Sequence, residues 1–168
     1  MFTLTGYMLY AMIENIKFKT ATKANAEEIL RIQKAAFQSE AEIHDNFNIP
    51  PLIQTLDSIR ADFSNFKFYK ALYKDKIVGA IKVQLINKHK LWIGRLVVDP
   101  DYQNRGIGKF MMSEIEKKYR FVKIFELFTG EKSKRNIQFY KSMGYRIIEY
   151  FQEPEHENIL LVRMVKYS

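Results

Sequence analysis

The residues with the clearest chemical meaning are Gln103, Asn104, Arg105, Gly106, Ile107, Gly108 and Lys109. They follow an apolar run that ends at Val98 and lead into an amphipathic run that begins at Gly106. A glycine-flanked turn that opens directly into a helix leaves consecutive N–H groups uncovered at the positive end of the helix dipole, an arrangement that binds a pyrophosphate. Three other glycine motifs fail on spacing. A dinucleotide fingerprint starts directly after its strand and has glycine where Met111 stands. A Walker loop needs glycine at Gln103 and Ser or Thr at Phe110. An RNA-binding octapeptide aligned on Arg105 to Gly108 would put its stacking aromatics at Ile107 and Lys109.

Other chemistries are excluded by composition. The chain has no cysteine, so it has no disulfide framework, thiolate zinc site or Cys nucleophile, which fits a reducing compartment. His44, His89 and His156 are far apart without ligand spacing, and no metal site is expected. The 168 residues carry a formal charge of +8, which invites a nucleic-acid partner until its location is considered. Residues 102–146 hold 11 basic against 4 acidic side chains, so most of the excess surrounds the glycine turn. Residues 36–59 contain Glu40, Glu42, Asp45 and Asp57 and no Lys or Arg.

The elements that must position these residues follow from periodicity and punctuation. A hydrophobic fraction of 47%, with 13 Phe, 10 Tyr and 1 Trp, excludes a disordered chain, and the length suits one domain. A strand at 16–20 leads to a capping-box start at Asn25 and a helix to about Ser39. Pro50-Pro51 ends a loop, after which Leu52, Leu56, Ile59 and Phe63 recur at helical spacing. Residues 66–73, 77–86 and 91–98 read as an antiparallel meander. A helix from Gly106 to about Arg120 precedes an apolar strand at 122–128, expected to run parallel to the strand before that helix. A helix capped by Ser133 ends before Gly144, and strands at 145–150 and 159–166 flank Pro154. The order is β α α β β β α β α β β. Residues 1–15 are apolar at first but too short to span a bilayer; they form an N-terminal extension, with Met8 or Met12 as an alternative start or the segment as an extra strand. Residues 16–168 form the single domain.

This pattern resembles the GNAT superfamily of N-acetyltransferases, as a bacterial-type single-domain member. The family's acetyl-CoA motif, Gln/Arg-x-x-Gly-x-Gly/Ala after a hydrophobic-Asp-Pro turn, is matched by Gln103 to Gly108 after Val98-Asp99-Pro100. A second segment, Asn136 to Tyr145 with Tyr140 and Gly144, looks like the family's Asn…Tyr…Gly-Phe/Tyr helix. The resemblance covers nearly the whole chain from Ile16. It implies an α/β fold with a mixed, twisted seven-stranded sheet flanked by about four helices, and a cytoplasmic acyltransferase that moves acetyl from acetyl-CoA to a primary amine.

The resemblance also implies roles for particular residues. Pantetheine would lie in a gap between the strand of Leu96, Val97 and Val98 and the next parallel strand, bonded to the first strand's backbone. Asn136 would serve the pantetheine or pyrophosphate arm, with helix capping as its alternative. Tyr140 would be the general acid toward the thiolate, or core packing; phenols ionise at about 10 and thiols at about 8.5, so the hydroxyl keeps its proton at neutral pH. Many members carry a Glu on the strand before the motif, but residues 91–96 offer none. Glu126 is then a candidate base, or the partner of a salt bridge, for instance to Arg95, and water relayed to a loop carboxylate is an equal alternative. Residues 36–59 would wall the acceptor site, where their acids would recruit a cationic amine or simply be solvated. The acceptor would be a small amine, a peptide N-terminus or a protein lysine, with neither nucleic acid nor membrane as partner and a monomer or homodimer as assembly. The alternatives are an acyl-CoA-binding module without turnover and a basic nucleic-acid-binding protein.

Overall fold

The computed structural model describes residue 6, residues 11–152 and residues 159–168. Pro154, His156, Met8 and most of residues 1–15 therefore lie outside the described residues. Residues 11–14 are helical and Met12 is buried against Ile107 and Met111, while most of the apolar segment for which an extra strand is an alternative lies outside the described residues. Strand β1 (Lys17–Thr20) then leads to a short 3-10 turn, where Asn25 Oδ1 accepts the Thr22 N–H at 3.0 Å. The capping box thus spans Thr22 and Asn25 rather than Asn25 and Glu28, because the Asn25 side chain faces backward and also accepts Lys70 Nζ.

Helix α1 (Ala26–His44) runs past the expected end at Ser39 and stops at Asp45, whose left-handed φ of 50° closes it. The prolines open a one-turn helix, α2 (Pro50–Ile53), since a proline at the start of a helix lacks only an N–H that would have no partner there. Thr55 caps α3 (Leu56–Asp62) by accepting the Ser58 N–H.

Strands β2 (Lys67–Tyr73), β3 (Lys76–Asn87) and β4 (Lys90–Val98) form the expected antiparallel meander. Its first turn holds both Lys74 and Asp75 at positive φ, the geometry whose twist matches paired strands. Helix α4 (Ile107–Lys118) and strand β5 (Ile124–Gly130) follow, then α5 (Lys134–Ser142), β6 (Arg146–Phe151) and β7 (Leu161–Tyr167). The sheet order is β1-β2-β3-β4-β5-β7-β6, and only the β4–β5 pair among these neighbours is parallel. Seven strands with four helices of seven residues or more, among the described residues, match the expected architecture.

Side-chain alternation divides the helices between the two faces of the sheet. Ile81, Val83, Leu91, Ile93, Phe125 and Leu127 pack under Met112 and Ile115 of α4 and Ile137 of α5. Phe68, Ala80 and Val97 pack under Ile29 and Ile32 of α1 and Ile59 of α3. Helix α1 and helix α5 therefore lie on opposite faces.

Candidate active site

The site begins where two parallel strands part. Strands β4 and β5 pair in register only at Lys90–Ile124, Leu91–Phe125 and Trp92–Glu126, while β4 stays bonded to β3 as far as Val98. The cause lies in β4, where Arg95 and Leu96 stand opposite the single residue Ile81 and Arg95 adopts φ 49°. Such a bulge bends its strand and increases the local twist, so it carries the end of β4 away from β5. Gly94 leaves space for the Trp92 indole, which any side chain at 94 would overlap.

Beyond the fork, β4 offers main-chain groups to the gap. Asp99 N–H bonds to Val78 O of β3 at 2.9 Å, so alternation turns the groups of Val97 toward β3 and those of Leu96 and Val98 toward β5. Val97 contributes instead to the core beneath α1. Gln103 Nε2 donates to Val98 O at 3.1 Å and ties the following turn to the strand end.

The turn has the expected form. Gly106 caps α4 at φ 82°, a conformation that favours glycine, and Ile107 is buried, which anchors the first helical turn to the core. Among the described residues, no hydrogen bond occupies the backbone N–H groups of Arg105, Gly106, Ile107, Gly108 and Lys109, and the first turn contains no acid. Asn104, at φ 60°, accepts from Arg135 of α5, while Arg105 bonds Asp101 O at 2.8 Å and lies over the Tyr102 ring. Lys109 is exposed. Together these cations rim a run of free N–H donors suited to a pyrophosphate. Asp99 stabilises the turn from below. It is buried, bonds Arg31 at 2.9 Å and accepts the Asp101 N–H at 3.1 Å. Burial alone would raise its pKa, but the bonds from Arg31 and Asp101 and the charge of Lys76 outweigh it and hold the carboxyl below the ordinary range.

Opposite the turn, α1 reaches α5 across the open gap. Phe37 lies under the Arg95 guanidinium at 5.9 Å, and one and two turns further along α1 come Glu40 and His44. Asn136 Nδ2 donates to Glu40 Oε1 at 3.0 Å, Ser133 Oγ donates to Glu40 Oε2, and His44 Nε2 is 3.3 Å from Ser133 Oγ. Ser133 occupies the N-cap position of α5 but spends its hydroxyl on Glu40 rather than on the helix. The His44 ring lies directly over Gly130 at the end of β5, in space that a Cβ at 130 would fill. Burial lowers the His44 pKa, Glu40 and Glu131 raise it and Lys132 lowers it, leaving it below the ordinary 6.5.

Asn136 and Tyr140 are on one face of α5, as their spacing requires, and both approach Glu40. The Tyr140 hydroxyl makes no hydrogen bond among the described residues. Burial, and then the Glu40 charge, push its pKa well above that of an ordinary phenol, so it retains its proton.

Glu126 stands at the last paired position before the fork and is buried. Its partner is Lys90, with Oε2 2.7 Å from Nζ, rather than Arg95. Sequence reasoning missed Lys82, a buried lysine 2.9 Å from Asp62 and 4.3 Å from the Phe66 ring centre, whose pKa burial lowers. It also missed Glu40 and His44 as members of one site. Their spacing with Phe37 on a continued helix was the available signal.

The Acetyltransferase (GNAT) family model matches residues 26–145, and the chain belongs to that family. Over 138 residues it is 32% identical to UPF0157 protein YqkA of Bacillus subtilis, an alignment covering 82% of this chain but 39% of YqkA. The chain thus spans about two fifths of the length of that relative. Among solved structures, it resembles the PaiA N-acetyltransferase of Thermoplasma acidophilum in complex with coenzyme A (TM-score 0.72, 15% identity, 91% of this chain and 99% of that one). It also resembles a GNAT acetyltransferase of Elizabethkingia anophelis with acetyl-CoA bound (TM-score 0.67, 18% identity, 92% and 99%). At these identities the likeness establishes the fold.

Proposed function

We propose that the chain transfers the acetyl group of acetyl-CoA directly to a primary amine. The observation that carries this reading is the conjunction of the β4–β5 fork with the free N–H groups of Arg105 to Lys109 at its open end. The turn would hold the pyrophosphate, with Arg105, Lys109 and Arg135 around it. Leu96 and Val98 would bond the pantetheine arm, and a Leu96 N–H aimed into the gap would stabilise negative charge on the acetyl oxygen during attack. Gln103 and Asn104 would shape the turn, and Asn136 would exchange its bond to Glu40 for one to pantetheine.

Tyr140 would give its proton to the departing thiolate. Support comes from its protonated, otherwise unbonded hydroxyl on the helix that flanks the gap. For the amine's proton, Glu126 is the carboxylate to which the sequence points; its place at the fork favours that role, and its commitment to Lys90 opposes it. The acceptor would approach along the segment from the end of α1 to the start of α3, where Glu42, Asp45 and Asp57 are exposed, which favours a cationic amine: a small amine, a peptide N-terminus or a protein lysine.

The test is thiol release from acetyl-CoA across a panel of primary amines. Amine-dependent release is expected. Binding of acetyl-CoA without release for any amine would favour the CoA-binding module instead. Tyr140→Phe should then lower kcat about 10²-fold or more with the KM for acetyl-CoA little changed, and undiminished turnover would remove Tyr140 from the mechanism.

A further inference from the structure

An aliphatic amine poses a proton problem before it can attack. With a pKa of about 10.4, only about one in 2,500 such amines is neutral at pH 7, so the site needs a group that accepts a proton from the ammonium. Outside the motif residues, one cluster at the gap is wired for this, namely Glu40 and His44 of α1 with Ser133 at the head of α5.

The proton count in that cluster fixes the state of the imidazole. Ser133 has a single hydroxyl proton, and it goes to the Glu40 carboxylate, which can only accept. The Ser133 oxygen must therefore receive the bond from His44, so His44 carries its proton on Nε2. The Nδ1 lone pair is left over and has no hydrogen-bond partner among the described residues. A proton arriving at Nδ1 makes an imidazolium whose Nε2–H points, through Ser133, at a carboxylate. One further constraint holds the ring in place: it occupies the space over Gly130 at the end of β5 that a Cβ at 130 would fill.

We infer that His44 is the general base of the transfer, with Ser133 and Glu40 as the residues that position it. The inference rests on the transferase reading. His44 Nδ1 takes one proton from the ammonium. The freed amine forms its bond to the acetyl carbon as the carbon–sulfur bond breaks, and the second amine proton leaves with the thiol through Tyr140. The charged groups facing the ring are Glu40 on its own helix and Glu131 and Lys132 from the β5–α5 turn.

The test compares wild type, His44→Gln, Gly130→Ala and Glu126→Gln, using the amine of the panel that turns over fastest and, in parallel, hydroxylamine, which is unprotonated at neutral pH. Acetyl-CoA should raise the melting temperature of all four, which establishes that each is folded and binds its cosubstrate. Wild-type kcat/KM with the alkylamine should fall on acidification through a pKa below 6.5. His44→Gln should lose that limb together with about 10²-fold in rate, while hydroxylamine should be acetylated at near wild-type rate. Gly130→Ala, which displaces the ring without removing it, should show the same loss with the alkylamine. Nitrogen-detected spectra of His44 should report the Nε2-protonated tautomer, and Ser133→Ala should disturb it. An unchanged rate and limb in His44→Gln, a limb lost in Glu126→Gln instead, or an Nδ1-protonated ring would each overturn the assignment. If wild type acetylates no amine at all, the transferase reading itself fails, and the base falls with it.

Discussion

Replacing Gly106 with valine isolates the phosphate turn from the rest of the fold. The residue holds φ 82°, and among the described residues a Cβ there would meet only the Ile13 side chain, Cδ1 at 3.7 Å and Cγ1 at 3.9 Å, which is ordinary contact. The cost is therefore conformational rather than steric. A β-branched residue kept in a left-handed conformation costs about 1–3 kcal/mol. If the free protein relaxes the turn and coenzyme A requires it re-formed, that strain comes out of binding as about a 5- to 150-fold rise in Kd. If the turn cannot relax, the same strain appears as a lower melting temperature, at roughly 2–4 °C per kcal/mol for a chain of this size. Calorimetric titration with coenzyme A and thermal unfolding of the same samples separate the two outcomes. Gly106→Asn serves as the control, because asparagine tolerates positive φ and keeps the N–H, so it should bind within a few-fold of wild type. A valine variant with wild-type affinity and wild-type melting temperature would refute both the strain and the assignment of the anion site.

Three more outcomes test the supporting structure. Asp99→Asn should lower stability by about 1–3 kcal/mol, because a buried carboxylate that holds Arg31 and the Asp101 N–H loses its charge. Since the folded-state pKa of Asp99 is depressed, its contribution is complete above the unfolded value of about 3.9 and is lost as the pH falls through the folded value. The melting temperatures of wild type and Asp99→Asn should accordingly converge in strong acid. Leu127→Ala, in the core beneath α4 and α5, should cost about 2–5 kcal/mol in a denaturant titration, with the m-value unchanged.

The meander, α4 and the fork's two strands were visible in the sequence because each is set by local alternation, turn residues or an amphipathic stripe. The apolar run starts two residues before strand β5 does: Val122 precedes the strand yet is buried like a strand residue. The bulge in β4 left no local mark, since Arg95 is not a residue type that advertises positive φ. The far end of α1 was lost for a related reason. Gln38, Ser39 and Glu40 look like the polar end of a helix, and only the contacts with Ser133 and Asn136, some 90 residues away in sequence, show that Glu40 faces inward. Motif residues were legible because the proposed anion site is built from backbone and glycine. Glu40, His44 and Ser133, proposed to handle the amine's proton, were not, because they meet only through tertiary packing. The cage around Lys82 was hidden likewise, its aromatics coming from β2, β4 and the loop before β2.

Backbone amide shifts during titration with coenzyme A test the central claim most directly. If the gap and the turn hold the ligand, the N–H signals of Arg105 to Lys109 and of Leu96 and Val98 should move together and saturate at one Kd, while those of β1 and β2 stay still. Saturable shifts confined to other parts of the molecule, with these amides unmoved, would contradict the account.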